Sequence, residues 1–275
     1  MPTFSVPQPI TQGAGTDLRA NWTPDSRWIV FERLQGGRRR LYRVRPDGSN
    51  LEPLALEEPD DSDSTGRPAF FTPDDLVFVS DRLGLTALFR QFQGQVMLLH
   101  VHAQPSYGPA LGTASTWPVL YFQQDGKDEV HIYALGQDGQ ATQLTHHPGV
   151  QDQPWPCSDG QTFVYHAQED GRHVVCLQSV QAGAARKVVS DADEETAYVT
   201  PFPSPDGQWI AFTSARSSQE QVWVMRPDGS ERQQVTSGAP HSFPAWSSDG
   251  RSLVCTRGTP TAEPPSGYLV TVDVS

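Results

Sequence analysis

The 275-residue chain holds only three cysteines, Cys157, Cys176 and Cys255. An odd number without a C-x-x-C pair excludes a disulfide framework and offers no zinc-site spacing. Cys176 and Cys255 sit in the apolar runs "HVVCL" and "SLVCT" and read as small core residues. Positive charge is also short, with 20 Lys and Arg against 32 Asp and Glu and a formal charge of −12. That balance argues against a general binder of nucleic acid or of anionic membranes. No apolar run approaches the ~18 residues of a membrane span, so no membrane insertion is expected. The opening "MPTFSVPQPITQG" has neither a basic n-region nor an apolar h-region, which leads to the expectation of a cytoplasmic protein. No window sustains a helical period. The Ser elbow G-x-S-x-G is missing, and no Cys stands with a His in a pattern that signals nucleophilic catalysis, so no catalytic residue is assigned.

Glycine and proline are plentiful, 47 of 275 residues, about 17 % against a usual ~12 %. Such an excess without a collagen period means many turns and many short strands. The turns recur. Pro24-Asp25-Ser26 and Pro46-Asp47-Gly48 are 22 residues apart, as are Pro205-Asp206-Gly207 and Pro227-Asp228-Gly229. "NWTPDSRWIVF", "FFTPDDLVFV", "ALGTASTWPVLYF", "WPCSDGQTFVY", "FPSPDGQWIAF" and "AWSSDGRSLVC" align as six copies, anchored at Trp22, Phe71, Leu111, Pro156, Pro203 and Trp246. Each copy holds four strand-like stretches, joined first-to-second and third-to-fourth by the Asp-Gly turns. Pro presets φ for the turn, Asp tolerates the next position, and Gly takes the left-handed one. The second stretch is apolar at consecutive positions ("WIVF", "LVFV", "WIAF"), as a strand covered on both faces must be.

Six copies of about 45 residues with four strands each predict an all-β fold, a six-bladed β-propeller of four-stranded antiparallel blades. The expected blades are 16–56, 67–101, 107–145, 151–190, 197–237 and 241–275, all in one domain over 1–275. The sixth copy stops after its third strand, and residues 3–12 are otherwise unused. Their "ITQG" matches the fourth-strand endings "LTHH", "VVSD" and "VTSG". Residues 3–12 are therefore expected to complete the last blade and latch the ring. Such a ring leaves no free sheet edge, and a monomer is expected.

The motifs "PFPSPDGQWIAFTS", "QVWVMRPDGSERQQVTSG" and "RLYRVRPDGSN" resemble the propeller repeat of the TolB family. The resemblance spans essentially the whole chain and implies the propeller fold and a protein-binding role. TolB proper is exported and carries an α/β domain before its propeller. Neither is read here, so a stand-alone propeller is expected. Related repeats also occur in prolyl-oligopeptidase-type peptidases and in pectin-degrading lyases, so the repeat speaks for fold more than for function.

Topology puts every Asp-Gly turn on one face of the disc and the more varied loops on the other, where function is sought. Two connections there are acidic: Glu57, Glu58, Asp60 and Asp61 in "EEPDDSD", and Asp193, Glu194 and Glu195 in "DADEE". They follow blades 1 and 4 and could form a rim for a basic partner or a divalent cation, although two solvated loops are the simpler explanation. Neither has the ordered spacing of a Ca²⁺ loop. Arg38, Arg39 and Arg40 lie on the same face, with internal ion pairing as the simplest role. The inner strands are entered at the channel mouth by Asp17, Arg19, Arg67, Tyr107, Asp152, Tyr198 and His241, a mixed ring that a ligand on the axis would meet. His147, Asp152 and His241 could hold a metal only if their loops folded inward, so no metal and no cofactor is assigned. The leading functional expectation is a non-catalytic scaffold for a protein or peptide. The alternative is a lyase or hydrolase working at the channel mouth, with or without a metal.

Overall fold

The computed structural model describes all residues except 14, 57–64, 112–117, 170, 191–197, 216–218 and 261–264. Among the described residues there are strands and turns and no helix. The strands form six antiparallel meanders, with the third and fourth joined by one parallel contact, Val130 with Val150. Their innermost strands are Thr16–Trp22, Thr65–Thr72, Ser106–Ala110, Val150–Pro156, Tyr198–Pro203 and His241–Trp246, which we number as blades 1 to 6. The central apolar residues of each second strand are buried. Asp75–Ser80 and Ile210–Ser214 are buried along their whole length. The reason is that this strand lies mid-blade, covered by a neighbouring blade on each face.

The core is accordingly divided among the seams between blades. Val30, Leu41 and Phe78 fill the seam of blades 1 and 2, and Leu88, Val119 and Tyr121 that of blades 2 and 3. Leu120, Ile132, Phe163 and Tyr165 lie between blades 3 and 4, and Val164, Val175, Ile210 and Phe212 between 4 and 5. Trp209, Val224, Trp246 and Leu253 join blades 5 and 6, and Trp22, Phe31, Ala245 and Leu269 return from blade 6 to blade 1. The ring is closed.

Residues 3–11 supply the missing outer strand of blade 6. Gln8 and Pro9 pair with Thr271 and Val270, and Phe4 bridges to Val274. Thr3 and Ser275 exchange backbone hydrogen bonds at 2.8 and 3.1 Å. The Thr11 hydroxyl accepts the Leu269 N–H at 2.8 Å. Thr145, Ser190 and Thr236 make the same bond to Ile132, Val175 and Val222, each at 2.9 Å. One device therefore ties the end of the outer strand to the third strand in blades 3, 4, 5 and 6.

The Asp-Gly turns are structural. In blade 5 the Ser204 hydroxyl donates to Asp206 (2.5 Å) and accepts the Trp209 N–H (2.9 Å), while Asp206 also receives the Gln208 N–H (3.0 Å). Thr23 with Asp25 and Ser247 with Asp249 repeat this arrangement in blades 1 and 6. In blade 2 the register places Phe70, opposite Leu76, where Trp22 stands opposite Ile29. The anchor is thus Phe70 and not Phe71. A second irregularity between Phe70 and Thr72 absorbs the residue by which the copies differ.

Candidate binding site at the axial funnel

Each innermost strand breaks register at an equivalent place, between Leu18 and Asn21, Gly66 and Ala69, Tyr107 and Ala110, Asp152 and Trp155, Val199 and Phe202, and Ser242 and Ala245. At every break one residue turns left-handed: Arg19, Arg67, Gly108, Gln153, Thr200 and Phe243, all with φ between 50 and 55°. Five of the six are not glycine, and a left-handed L-residue costs ~1–2 kcal/mol, so the surrounding ring enforces the conformation. Bulges of this kind re-aim a side chain. Here they aim five side chains, and the bare backbone of Gly108, at the propeller axis, where all six residues line a central funnel. In five blades the next residue is proline: Pro68, Pro109, Pro154, Pro201 and Pro244. Proline has no N–H, so the bulge leaves no unpaired donor there. Trp155 and Phe202, with ring centroids 4.1 Å apart, add an apolar wall.

Blade 1 supplies the charge that organises the funnel. Glu32 is almost wholly buried. Its carboxylate accepts Arg19 Nη1 at 3.1 Å and the Arg67 backbone N–H at 2.9 Å, and Arg39 Nε lies 3.9 Å away. Gly66 makes this possible, since a Cβ there would stand 2.8 Å from the Glu32 carboxyl carbon. The Arg19 guanidinium also lies over Phe243, 5.1 Å from the ring centroid. Arg67 lies over Phe122 at 5.3 Å. Burial, with Arg19 close by, pushes Arg67 down to about 10, still a cation at neutral pH. A second cavity of about 270 Å³ opens from Arg67 toward Arg39, Ser80 and Tyr107.

The mouth residues expected from sequence divide into two groups. Arg19 and Arg67 meet at the funnel. Tyr107 lines the second cavity and stacks on Phe122, with centroids 5.7 Å apart. Asp17 is instead buried in a two-pronged pair with Arg33, at 2.6 and 2.8 Å. His241 is buried with Nδ1 3.3 Å from Gln221 Oε1, and burial, helped by Arg257, pushes its pKa down to about 4. Tyr198 begins the blade 5 inner strand, and its side chain lies outside the described residues. Outside them too lie Glu57, Glu58, Asp60 and Asp61 and Asp193, Glu194 and Glu195 of the two acidic connections.

Asp152 belongs to a chain that sequence reasoning missed. His166 Nδ1 is 2.6 Å from Asp152 Oδ1, and His166 Nε2 is 2.8 Å from His173 Nδ1. With His166 Nδ1–H donating to the carboxylate, its Nε2 is placed to accept from His173 Nδ1–H, which leaves His173 Nε2 as the basic atom. Burial and the neighbouring imidazole lower the His173 pKa, while Asp152 raises it. Of the remaining histidines, His100 bonds to the Tyr121 hydroxyl (3.0 Å) and His131 to Gln151 (2.9 Å). Among the described residues no group of three or more His, Cys, Asp or Glu converges as metal ligands.

The model of the TolB beta propeller domain matches residues 101–257, more than half of the chain. The chain belongs to the TolB beta-propeller family. A curated relative, the uncharacterized protein Atu1656 of Agrobacterium fabrum, is 30% identical over 92 residues, which is 32% of this chain and 30% of that protein. TolB from Acinetobacter baumannii has a TM-score of 0.69 at 15% identity, covering 96% of this chain and 65% of its own. The protein XC5397 from Xanthomonas campestris, described as a gluconolactonase, has a TM-score of 0.71 at 16% identity over 97% of this chain and 89% of its own. At such identities the likeness to both structures concerns the fold, which this TolB-family propeller shares with TolB and with a protein described as a gluconolactonase.

Proposed function

We propose that this TolB-family propeller is a non-catalytic scaffold that receives a protein or peptide on the face opposite the Asp-Gly turns, with the axial funnel at its centre. The contrast between the two ends of the axis carries this reading. On the turn side the same Ser/Thr–Asp hairpin is built again and again. In the funnel, one backbone position with one conformation presents Arg, Gly, Gln, Thr and Phe. A rigid frame with varied polar and aromatic side chains is what recognition of a particular partner requires. A basic segment of that partner would suit the acidic connections, the closed ring leaves no free sheet edge and so suits a monomer, and a cytoplasmic setting is part of the same proposal. The test is capture of partners from the native cell by the wild type, by Gln153→Trp to fill the funnel, and by Asp228→Ala on the turn side. Capture is expected to fail with the funnel variant alone, and equal recovery by all three, each verified as folded, overturns the proposal.

One observation favours a second reading, a hydrolase or lyase. The Asp152–His166–His173 chain orients an imidazole for proton transfer, as a general base needs. Turnover of a sugar lactone by the wild type and its loss in His173→Gln would establish that reading, and lactone decay at the buffer rate would remove its support.

A further inference from the structure

The chain is acidic overall, yet positive charge is in excess at the top of the funnel. Arg19, Arg39 and Arg67 stand against two carboxylates, Glu32 and Asp152, and Asp152 already serves His166. Two other half-buried arginines have a two-oxygen partner. Arg33 has Asp17, and Arg90 has Asp75 at 2.8 and 2.6 Å. Arg67 departs from this pattern. It gives Glu32 its backbone N–H only, and among the described residues its guanidinium has a ring contact with Phe122 but no hydrogen bond and no ion pair. The position is built for it. A Cβ on Gly108 would collide with the Phe122 ring edge and stand 3.3 Å from Arg67 Nη1, so glycine there lets the ring and the guanidinium stack. Close by, Arg19 Nε is buried without an acceptor.

The geometry points to Arg67, with Arg19 beside it, as a binding site for a carboxylate at the top of the axial funnel. A planar guanidinium fork matches a carboxylate with two parallel hydrogen bonds. Three guanidiniums against two carboxylates leave one positive charge, which a single carboxylate neutralises and a phosphate dianion overshoots. Below the fork, Trp155, Phe202 and Phe243 offer apolar surface and Gln153 and Thr200 offer hydrogen bonds, so the group attached to the carboxylate is uncharged. Two sources carry this chemistry: the C-terminus of a peptide, a choice that rests on the scaffold reading, and a free organic acid, which does not.

The test uses the full chain and calorimetric titration with four probes: N-acetyl-trialanine with a free C-terminus, the same peptide as its amide, gluconate, and inorganic phosphate. Binding of at least one carboxylate probe is expected, with the amide and phosphate inert. Arg67→Lys is expected to weaken binding about tenfold, since it keeps the charge and loses the fork, and Arg67→Met to abolish it. Thermal melts give an independent readout. A partly desolvated cation without an acceptor burdens the unliganded fold, so Arg67→Met is expected to melt no lower than the wild type, whereas a purely structural arginine would make it melt lower. No binding of either carboxylate, phosphate binding as tight as carboxylate binding, or unchanged affinity in Arg67→Met overturns the assignment. Binding of gluconate but not of the peptide keeps the site and counts against the peptide reading. Partner capture that survives Arg67→Met, with no carboxylate bound, keeps the scaffold and removes the site.

Discussion

Replacing Thr11 by valine tests the ring closure at a single atom. Thr11 is 1% exposed, and its hydroxyl is the acceptor for the Leu269 N–H. Valine keeps the shape and removes the acceptor, leaving a buried donor unpaired at a cost of ~1–3 kcal/mol. Spread over an unfolding entropy of ~2.1 cal/mol/K per residue, that cost lowers the melting temperature of this chain by about 2 to 5 °C. Thermal and urea unfolding followed by circular dichroism would measure it, with an unchanged urea slope indicating that the native state is otherwise intact. Thr11→Ser is the control. Ser190 fills the corresponding place in blade 4, so serine should recover most of the loss. Thr236→Val breaks the same bond inside blade 5 and also the 2.7 Å bond that the Thr236 hydroxyl donates to Gln221, so it should cost more than Thr11→Val. The reasoning fails if Thr11→Val melts with the wild type, or if Thr11→Ser falls as far as Thr11→Val.

Other outcomes follow from the same geometry. His241 is held near a pKa of about 4 in the folded state against an ordinary 6.5. The unfolded chain therefore takes up the proton first as pH falls, and the stability present above pH 6.5 is lost between 6.5 and 4. His241→Gln should flatten that part of a stability–pH curve, and an unaltered slope would show that another group carries it. Burial pushes the Cys176 and Cys255 thiols up to about 12 and Cys157 to about 11. A thiol reagent at neutral pH should accordingly react slowly with the folded protein and with all three cysteines in denaturant, and fast native labelling would contradict the burial. Gly108→Ala forces a Cβ into the Phe122 ring at a left-handed residue, and should lower stability by roughly 2 kcal/mol or more in urea unfolding; a neutral result would mean that the ring moves freely.

The parts of the fold legible in the sequence were those with one local cause. Consecutive apolar residues at Ile29–Phe31 and Ile210–Phe212 announced a strand buried on both faces. Threonine before a break in the pattern tied Thr11 to Thr145 and Thr236, and with them the N-terminus to the last blade. The funnel was legible only in part. Arg19 and Arg67 were expected at the mouth, but the bulge next to them shifts the register, and Asp17 and His241, two residues earlier in their strands, meet Arg33 and Gln221 instead. A signal for the whole ring was present: an X-Pro pair three residues before the repeat anchor in five of six copies, Arg67-Pro68 through Phe243-Pro244. The Asp152–His166–His173 chain left no such trace. Asp152 meets His166 through strand register, and His166 meets His173 across a hairpin, distances that spacing alone does not encode.

The latch also bears on the order in which the molecule assembles. Most pairings in the ring join neighbours along the chain, and each can form soon after its hairpin turn. The latch bonds, from Leu269 to Thr11 across 258 residues and between Thr3 and Ser275 across 272, close the longest loops, so they have the largest entropy to overcome and the fewest prior contacts to help them. Five blades and a three-stranded sixth can therefore stack as an open arc before residues 3–11 arrive. The arc becomes a ring in a single late step, and in the finished protein the seam between blades 6 and 1 is where amide protons should exchange first.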